Sequence, residues 1–187
     1  MIKAVLDACV LFPAPLRDFL LRLADDFLLL PFWSQRIQDE WARNLLSKRP
    51  DLLPHRIERT RRKMNQAFPQ SLVSDYDHIA STLQLPDLND RHVLAVAIKT
   101  ESKYIVTNNL KHFPQDILAK YRVQALSPDD FVMQLIEYDA IQFIKIVANH
   151  RSVLKNPPKT PDEYLATLEK QRLTKTVAFL REHQNEI

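Results

Sequence analysis

One stretch, residues 85–114, constrains the fold most strongly because it predicts a helix that leads directly into a short buried strand. The apolar run Val93–Ile98 predicts the helix, and Tyr104–Thr107 have the β-branched and aromatic composition of a buried strand. The polar pair Asn108–Asn109 ends that strand. A helix that feeds a strand ending in polar residues is one unit of an α/β sheet, and such sheets place their sites at the carboxyl ends of strands.

Carboxylates stand at the ends of two predicted elements. Ile2–Leu6 predict a central strand with Asp7 directly after it, and Asp87 and Asp90 fall in the first turn of the helix described above. A buried carboxylate is costly unless it is paired or bound to a cation, so Asp7 indicates a site. The ordinary alternative is that Asp7 caps the following turn, and Asp87 has the same alternative because free backbone donors stabilise an acid before a helix.

A further acid comes from the helix that Ser34 is predicted to cap. Ile37, Trp41 and Leu45 share the apolar face of this helix, and Glu40 lies beside them. Glu40 is therefore turned inward and is a candidate site residue. An ion pair with a basic residue one helical turn away explains its position equally well.

Two neighbouring residues are predicted to have no role in chemistry. Helical geometry turns Asp90 toward the core and His92 nearly opposite, so we expect His92 at the surface. Cys9 has no adjacent lysine or histidine that would lower its pKa. We expect it to be a small buried apolar residue and not a nucleophile.

Apolar runs, prolines and capping signals predict the remaining elements. Strands are predicted at Phe27–Leu30, ending at Pro31, at Leu72–Val73 and at the sheet edge at Val123–Leu126. Helices are predicted at Pro15–Asp25, near Tyr76–Leu83, at Asp116–Tyr121, from Ser127 toward Asn149, and from a capping box at Thr160–Glu163 past Phe179. The proline-rich segment 155–161 is predicted to be a hinge or linker.

The composition excludes several classes of protein. The 187 residues include no glycine, so glycine-rich phosphate-binding loops, which need positive φ and close backbone approach, are excluded. The single cysteine can form neither an intrachain disulfide nor a cysteine-built zinc site, and it favours a reducing compartment. We find neither a signal-like N-terminus nor an apolar run of about 20 residues, so we expect a cytoplasmic protein without membrane association.

Positive charge is concentrated in residues 43–63, which hold eight basic and two acidic side chains, whereas the rest of the chain holds 18 basic and 21 acidic ones. A localised basic helical arm is typical of proteins that bind the phosphate backbone of a nucleic acid. A solvated helix or the docking site of an acidic partner remains an equally ordinary interpretation. The candidate contacts are Arg49, Arg56, Arg59, Arg61, Arg62 and Lys63.

The four acids, Asp7, Glu40, Asp87 and Asp90, accompany no nucleophile motif and no H-E-x-x-H motif. Clustered carboxylates without such a partner favour a hard cation such as Mg²⁺ or Mn²⁺. Cations held in this way can activate water and stabilise the leaving oxygen of a phosphodiester.

Four segments, VLDACVLFPAPLRDFLLRLA, FWSQRIQDEWARNL, LPDLNDRHVLAVAI and IVTNNLKHFP, resemble in order and spacing the PIN domains, and most closely the VapC-type toxin ribonucleases. The resemblance covers about residues 2–131. It implies a small parallel sheet flanked by helices as a PIN-like nuclease domain at 1–131, followed by a helical extension at 132–187. It also implies a Mg²⁺- or Mn²⁺-dependent endoribonuclease in which Asp7, Glu40 and Asp90 are catalytic metal ligands and Asp87 is an accessory ligand. The implied partners are RNA, a small antitoxin protein and a second copy of the chain in a homodimer.

The last of these segments departs from the family pattern. PIN domains commonly carry an acid at one of two positions that are occupied here by Asn109 and His112. The resemblance therefore gives these residues an accessory polar role, with a site that has one negative charge fewer and binds the cation more weakly. The alternative function is a catalytically weak or inactive PIN module that binds RNA or a protein partner.

Overall fold

A five-stranded sheet forms the centre of the computed structural model, which describes residues 1–155 and 157–187. The strands are β1 (Ile2–Leu6), β2 (Leu29–Ser34), β3 (Leu72–Val73), β4 (Tyr104–Val106) and β5 (Gln124–Leu126). Their order across the sheet is β3-β2-β1-β4-β5, and all four pairings are parallel. The predicted α/β fold, a small parallel sheet flanked by helices, is confirmed.

Helices cover the sheet and form the C-terminal part of the chain. They are α1 (Ala8–Leu11), α2 (Ala14–Asp25), α3 (Gln35–Lys48), α4 (Pro54–Ala67), α5 (Asp77–Ala80), α6 (Arg91–Lys99), α7 (Gln115–Leu118), α8 (Pro128–Tyr138), α9 (Ala140–Val153), α10 (Pro161–Lys170) and α11 (Thr174–Glu182). Short 3₁₀ turns lie at Pro69–Ser71, Leu88–Asp90, Leu110–His112, Ala119–Tyr121 and Gln184–Glu186. The predicted N-terminal caps Ser34, Ser127 and Thr160 are confirmed, and Thr160 and Glu163 form the predicted capping box.

The register of the sheet determines which residues meet at its carboxyl edge. Leu6, the last residue of β1, pairs with Val106, the last residue of β4. The next residues along the chain, Asp7 and Thr107, therefore leave the sheet side by side, and the Asp7 backbone N–H still donates a 3.1 Å hydrogen bond to the Val106 carbonyl.

Strand β2 differs from its predicted bounds. It was predicted to end at Pro31, but it begins at Leu29 and continues through Pro31 to Ser34. The partner strand β3 pairs only with Trp33 and Ser34, so this side of β2 is an open edge at Pro31. Proline, which lacks an N–H, is tolerated where no neighbouring strand requires a donor.

Both long C-terminal helices that the sequence predicts are interrupted. The first divides at Asp139, whose carboxylate accepts a hydrogen bond from the Gln142 backbone and caps α9. The second divides at Arg172, which has a left-handed backbone with φ of 63°. Buried Asp129 then caps α11 by accepting hydrogen bonds from the backbone N–H groups of Lys175 and Thr176. Both prediction errors arose because an apolar period alone does not distinguish a capping aspartate from a helix-interior one.

The C-terminal helices pack against the N-terminal part of the chain through α2. His150 of α9 is buried, and its ring nitrogens lie 2.9 Å from the Asp18 carboxylate and 3.0 Å from the Tyr164 hydroxyl. This network joins α2, α9 and α10. Of the predicted linker 155–161, residue 156 lies outside the described residues. The others lie between α9 and the start of α10.

Two further features concern the chain as a whole. The suggested boundary between 131 and 132 falls inside α8, and we keep the division into 1–131 and 132–187 as a proposal. None of the helices within 1–155 and 157–187 combines the length and apolarity needed to cross a membrane.

Candidate metal centre

Asp7 lies at the carboxyl end of β1 with 6% of its surface exposed. Its Oδ1 accepts a 2.6 Å hydrogen bond from the Ala8 backbone N–H, so Asp7 does cap α1. Its Oδ2 accepts a second 2.6 Å hydrogen bond from the Thr107 hydroxyl. These donors offset the cost of burying the carboxylate and fix its orientation, so a capping role and a place in a site are compatible.

Thr107 is a residue of this region that the sequence analysis missed. It is fully buried directly after β4, and besides donating to Asp7 it accepts a 3.0 Å hydrogen bond from the Asn109 backbone N–H. Its place beside Asp7 depends on β1 and β4 being neighbours, and the chain sequence does not state the order of strands. A hydroxyl residue that ends a strand is the only local signal. The Asn109 side chain is exposed, and its accessory role stays a prediction.

Cys9 contacts the same carboxylate. Its Sγ lies 3.2 Å from Asp7 Oδ2 and accepts a hydrogen bond from the Asn108 backbone N–H. Burial, followed by the negative charge of Asp7, raises the pKa of the Cys9 thiol to about 12. Thiolate is the nucleophilic form, so this environment agrees with the expectation that Cys9 is not a nucleophile.

A cluster of three side chains, Asp87, Asp90 and His112, forms at the same edge. Each offers one ligand atom, and these atoms lie within 4.8 Å of one another. His112 Nδ1 lies 2.7 Å from Asp90 Oδ2 and 4.0 Å from Asp87 Oδ2. The other oxygen of Asp87 accepts a 2.9 Å hydrogen bond from the Asn89 backbone N–H. Asp87 therefore caps the 3₁₀ turn before α6 and also faces the cluster.

The electrostatics of Asp90 connect this cluster to Asp7. Partial burial raises the pKa of the Asp90 carboxyl, and the negative charges of Asp7 and Asp87 raise it further, although the hydrogen bond with His112 acts in the opposite direction. Negative charge thus accumulates around Asp90, and this is the environment that a bound cation stabilises.

Glu40 is held by different partners. Its Oε1 accepts a 3.2 Å hydrogen bond from Arg36 Nε, and the same Arg36 side chain donates to the Asn89 carbonyl. His92 Nε2 also lies 3.2 Å from Oε1. Burial acts to raise the pKa of Glu40, but His92 and Arg36 together outweigh burial and lower it. Neither Glu40 nor Asp7 belongs to the 4.8 Å cluster within the described part of the chain.

The expectation that His92 lies at the surface is wrong. His92 is 2% exposed, and none of the described residues forms a well-aligned hydrogen bond with either ring nitrogen, so its contact with Glu40 is mainly electrostatic. The error has a structural cause, because α6 packs against β1, β2, β4 and α5 and is buried on nearly all sides. The side opposite to Asp90 is therefore another packed face.

The basic arm separates into exposed and structural cations. Arg61 lies on the same face of α4 as buried Ile57 and Met64, its side chain is 13% exposed, and it pairs with Asp39 at 2.6 Å. Arg49 pairs with Asp51 at 2.7 Å in an exposed position. The exposed α4 cations, a name we use for the remaining four predicted contacts, form no ion pair within 1–155 and 157–187. They are Arg56, Arg59, Arg62 and Lys63.

A parallel sheet with carboxylates gathered at its carboxyl edge defines an α/β protein with an acidic metal-type site. The family profile described as "PIN domain" matches residues 3–111, and the profile described as "VapC50 C-terminal domain" matches residues 128–182. The chain belongs to the PIN-domain family, as the four sequence segments predicted.

One curated relative is a protein of Mycobacterium tuberculosis (strain ATCC 25618 / H37Rv) named "Putative ribonuclease VapC50". It is 39% identical over 82 residues, which are 44% of this chain and 48% of the relative. The chain thus spans about half the length of this relative. No solved structure matches the chain.

Proposed function

We propose that this protein is a metal-dependent endoribonuclease that hydrolyses RNA phosphodiesters. The observation that carries the proposal is the convergence of Asp87, Asp90 and His112 at the carboxyl edge of a PIN-domain sheet, next to buried Asp7. The name of the mycobacterial relative supports a nuclease of the VapC type. The raised pKa of Asp90 is the electrostatic sign of carboxylates that need a cation.

The chemistry of the side chains fits a divalent cation. Carboxylate oxygens are the ligands that Mg²⁺ and Mn²⁺ prefer, and Asp87, Asp90 and His112 supply two carboxylates and one imidazole. A cation of this kind, when bound, supplies an activated water and stabilises the leaving oxygen. We assign Asp7, Asp90 and Glu40 as catalytic metal ligands, with Asp87 as the accessory one.

The protein's own groups orient these ligands. Ala8 and Thr107 hold both oxygens of Asp7, and His112 holds Asp90. Glu40 approaches from α3, and its two basic neighbours, His92 and Arg36, fix its carboxylate. A preorganised set of ligands loses little conformational freedom when the cation and the phosphodiester bind.

The exposed α4 cations are proposed to steer RNA toward this edge. Unpaired surface arginines and lysines contribute most to binding a phosphate backbone, because they are free to replace its counterions. Arg61 is a weaker candidate than the sequence suggested, since its guanidinium is largely buried against Asp39. Arg49 keeps an exposed side chain, but Asp51 neutralises it.

The biological setting proposed from the family is that of a toxin–antitoxin pair in the cytoplasm. The VapC-type relative supports RNA as the substrate and a small antitoxin protein as the partner that holds the toxin inactive. We also propose a homodimer, as the PIN resemblance implies. Size-exclusion chromatography with light scattering, with and without the neighbouring gene product, tests both associations.

The activity is tested with purified protein on mixed RNA in the presence of Mn²⁺. Asp7→Asn and Asp90→Asn each remove one charge from the proposed site and should abolish cleavage. Asp25→Asn makes the same chemical change at the opposite edge of the sheet, in an exposed pair with Arg22, and should leave cleavage unchanged. Equal activity in all four proteins would overturn the proposal, because a contaminating nuclease would then explain the cleavage.

A second candidate function rests on His112. An imidazole replaces the acid that PIN domains commonly carry here, and it already occupies one side of Asp90. The alternative is a weakly active or inactive PIN module that binds RNA or a protein partner. RNA binding in a filter assay without cleavage in Mg²⁺ or Mn²⁺, together with the appearance of cleavage in His112→Asp, would favour this alternative.

A further inference from the structure

His112 presents Nδ1 to both carboxylates of the cluster. It lies in the 3₁₀ turn after β4, which is closed by a 2.9 Å hydrogen bond from the His112 backbone N–H to the Asn109 carbonyl. Nδ1 lies 2.7 Å from the nearer Asp90 oxygen and 4.0 Å from the nearer Asp87 oxygen. The ring is thus fixed by its turn in a position where one nitrogen points between two acids.

These separations suit a shared cation. Two atoms that bind one ion at about 2.1 Å each can be at most about 4.2 Å apart. Both distances from Nδ1 fall within that limit, so no movement of the backbone is needed for His112 and either acid to bind the same ion. The imidazole would bind in its neutral form, with its proton on Nε2.

The kind of ligand has a consequence for which cation binds. Mg²⁺ is a hard ion that binds oxygen and keeps its waters, whereas imidazole nitrogen favours first-row transition ions, with affinity rising from Mn²⁺ toward Co²⁺ and Ni²⁺. An aspartate at this position would give a third oxygen and a third negative charge, both of which favour Mg²⁺. His112 therefore changes both the charge and the softness of the site.

We propose that His112 Nδ1 is a metal ligand beside Asp87 and Asp90, and that it makes the site select first-row transition cations over Mg²⁺. The inference rests on the proposed function only in assuming that this edge of the sheet binds a divalent cation. It adds an inner-sphere nitrogen and a preference among cations, neither of which RNA hydrolysis requires.

The first experiment measures cation affinity by calorimetry with Co²⁺ and Mg²⁺ as probes. We expect wild type to bind Co²⁺ more tightly than Mg²⁺, and the ratio of the two affinities to fall about tenfold or more in His112→Asp, since changes around a metal site commonly cost about 10–100-fold. His112→Gln should lose Co²⁺ affinity without gaining Mg²⁺ affinity. His78→Asp makes the same substitution at an exposed histidine of α5 and should leave the ratio unchanged.

The second experiment detects the bond directly. Pulsed electron paramagnetic resonance of Mn²⁺-loaded wild type should show coupling to a directly bound nitrogen, and His112→Asp should lose it while still binding Mn²⁺. An unchanged Co²⁺/Mg²⁺ ratio in His112→Asp, or bound Mn²⁺ without nitrogen coupling, would overturn the assignment and leave His112 as a hydrogen-bonding partner of Asp90. If wild type binds none of the three cations, the proposed metal-dependent function fails as well. RNA cleavage with an unchanged ratio contradicts only the role of His112.

Discussion

Replacing Thr107 by valine tests how the sheet edge holds Asp7. Valine keeps the shape of threonine but removes the hydroxyl that donates to Asp7 at 2.6 Å and accepts from the Asn109 backbone. Thr107 is fully buried, so water does not take the place of the lost hydroxyl. A buried hydrogen bond to a charged group contributes about 1.5–3 kcal/mol, so we expect the free energy of unfolding to fall by about 2 kcal/mol.

Urea unfolding of the metal-free protein measures this free energy directly. In a chain of this length, a loss of about 2 kcal/mol also lowers the midpoint of thermal unfolding by about 4–8 °C. Thr107→Ser is the matched control, because it keeps the hydroxyl and loses only one methyl group, which costs about 1 kcal/mol. If the two variants are equally stable, the methyl group and not the hydroxyl accounts for the loss.

A double-mutant cycle with Asp7→Asn isolates the contact between the two side chains. Asp7→Asn alone is not diagnostic, since it also relieves repulsion with Asp90 and can stabilise the fold. We expect the cycle to give a coupling energy of about 1.5 kcal/mol or more between positions 7 and 107. A coupling below about 0.5 kcal/mol would refute the reasoning, because effects of that size are found between residues that do not touch.

Three further predictions concern other parts of the molecule. Changing all the exposed α4 cations to glutamine should weaken RNA binding and flatten the plot of log affinity against log salt by up to about 3, whereas Arg61→Gln should mainly lower stability; filter binding between 50 and 200 mM salt checks this against about 0.7 per phosphate contact. Cys9, with its pKa raised to about 12, should react with iodoacetamide at pH 8 far more slowly in the folded protein than in urea, as mass spectrometry will show. The hydrogen bond from His150 outweighs burial and lowers the pKa of Asp18. Its stabilising effect is therefore present above the unfolded pKa and lost as pH falls below about 4, so the stability difference between wild type and Asp18→Asn should shrink between pH 5 and pH 3.

Much of the sheet could be predicted from the sequence because its strands are short apolar runs between strong end signals. β1 and β3 have their predicted bounds, and β5 is one residue shorter at its start than predicted. The helices after Ser127 were less predictable. Asp139 and Arg172 interrupt apolar patterns that look continuous, and Asp129, which caps α11, lies 45 residues before the residues it contacts.

The candidate site divides in the same way. Asp7, Asp87 and Asp90 stand at element ends, where sequence position alone indicates a site. Thr107 and His92 did not stand out, because their roles come from tertiary neighbours: one lies beside Asp7 through the β1–β4 pairing, and the other is buried against Glu40. A helical projection assigns a direction to a side chain, but it does not say what packs on that side.

The four acids differ in how their negative charge is compensated, and the difference singles out Asp90. Asp7 and Asp87 each accept a backbone hydrogen bond, and Glu40 lies against Arg36, whose influence together with that of His92 lowers its pKa. Asp90 has no such backbone donor among the described residues, and its pKa is raised despite the hydrogen bond with His112. Asp90 is therefore the carboxylate with the most to gain from a cation. Because His112 occupies the side of Asp90 that faces Asp87, a cation entering the cluster must either displace the ring from that hydrogen bond or bind it, and the nitrogen coupling of bound Mn²⁺ distinguishes these two outcomes.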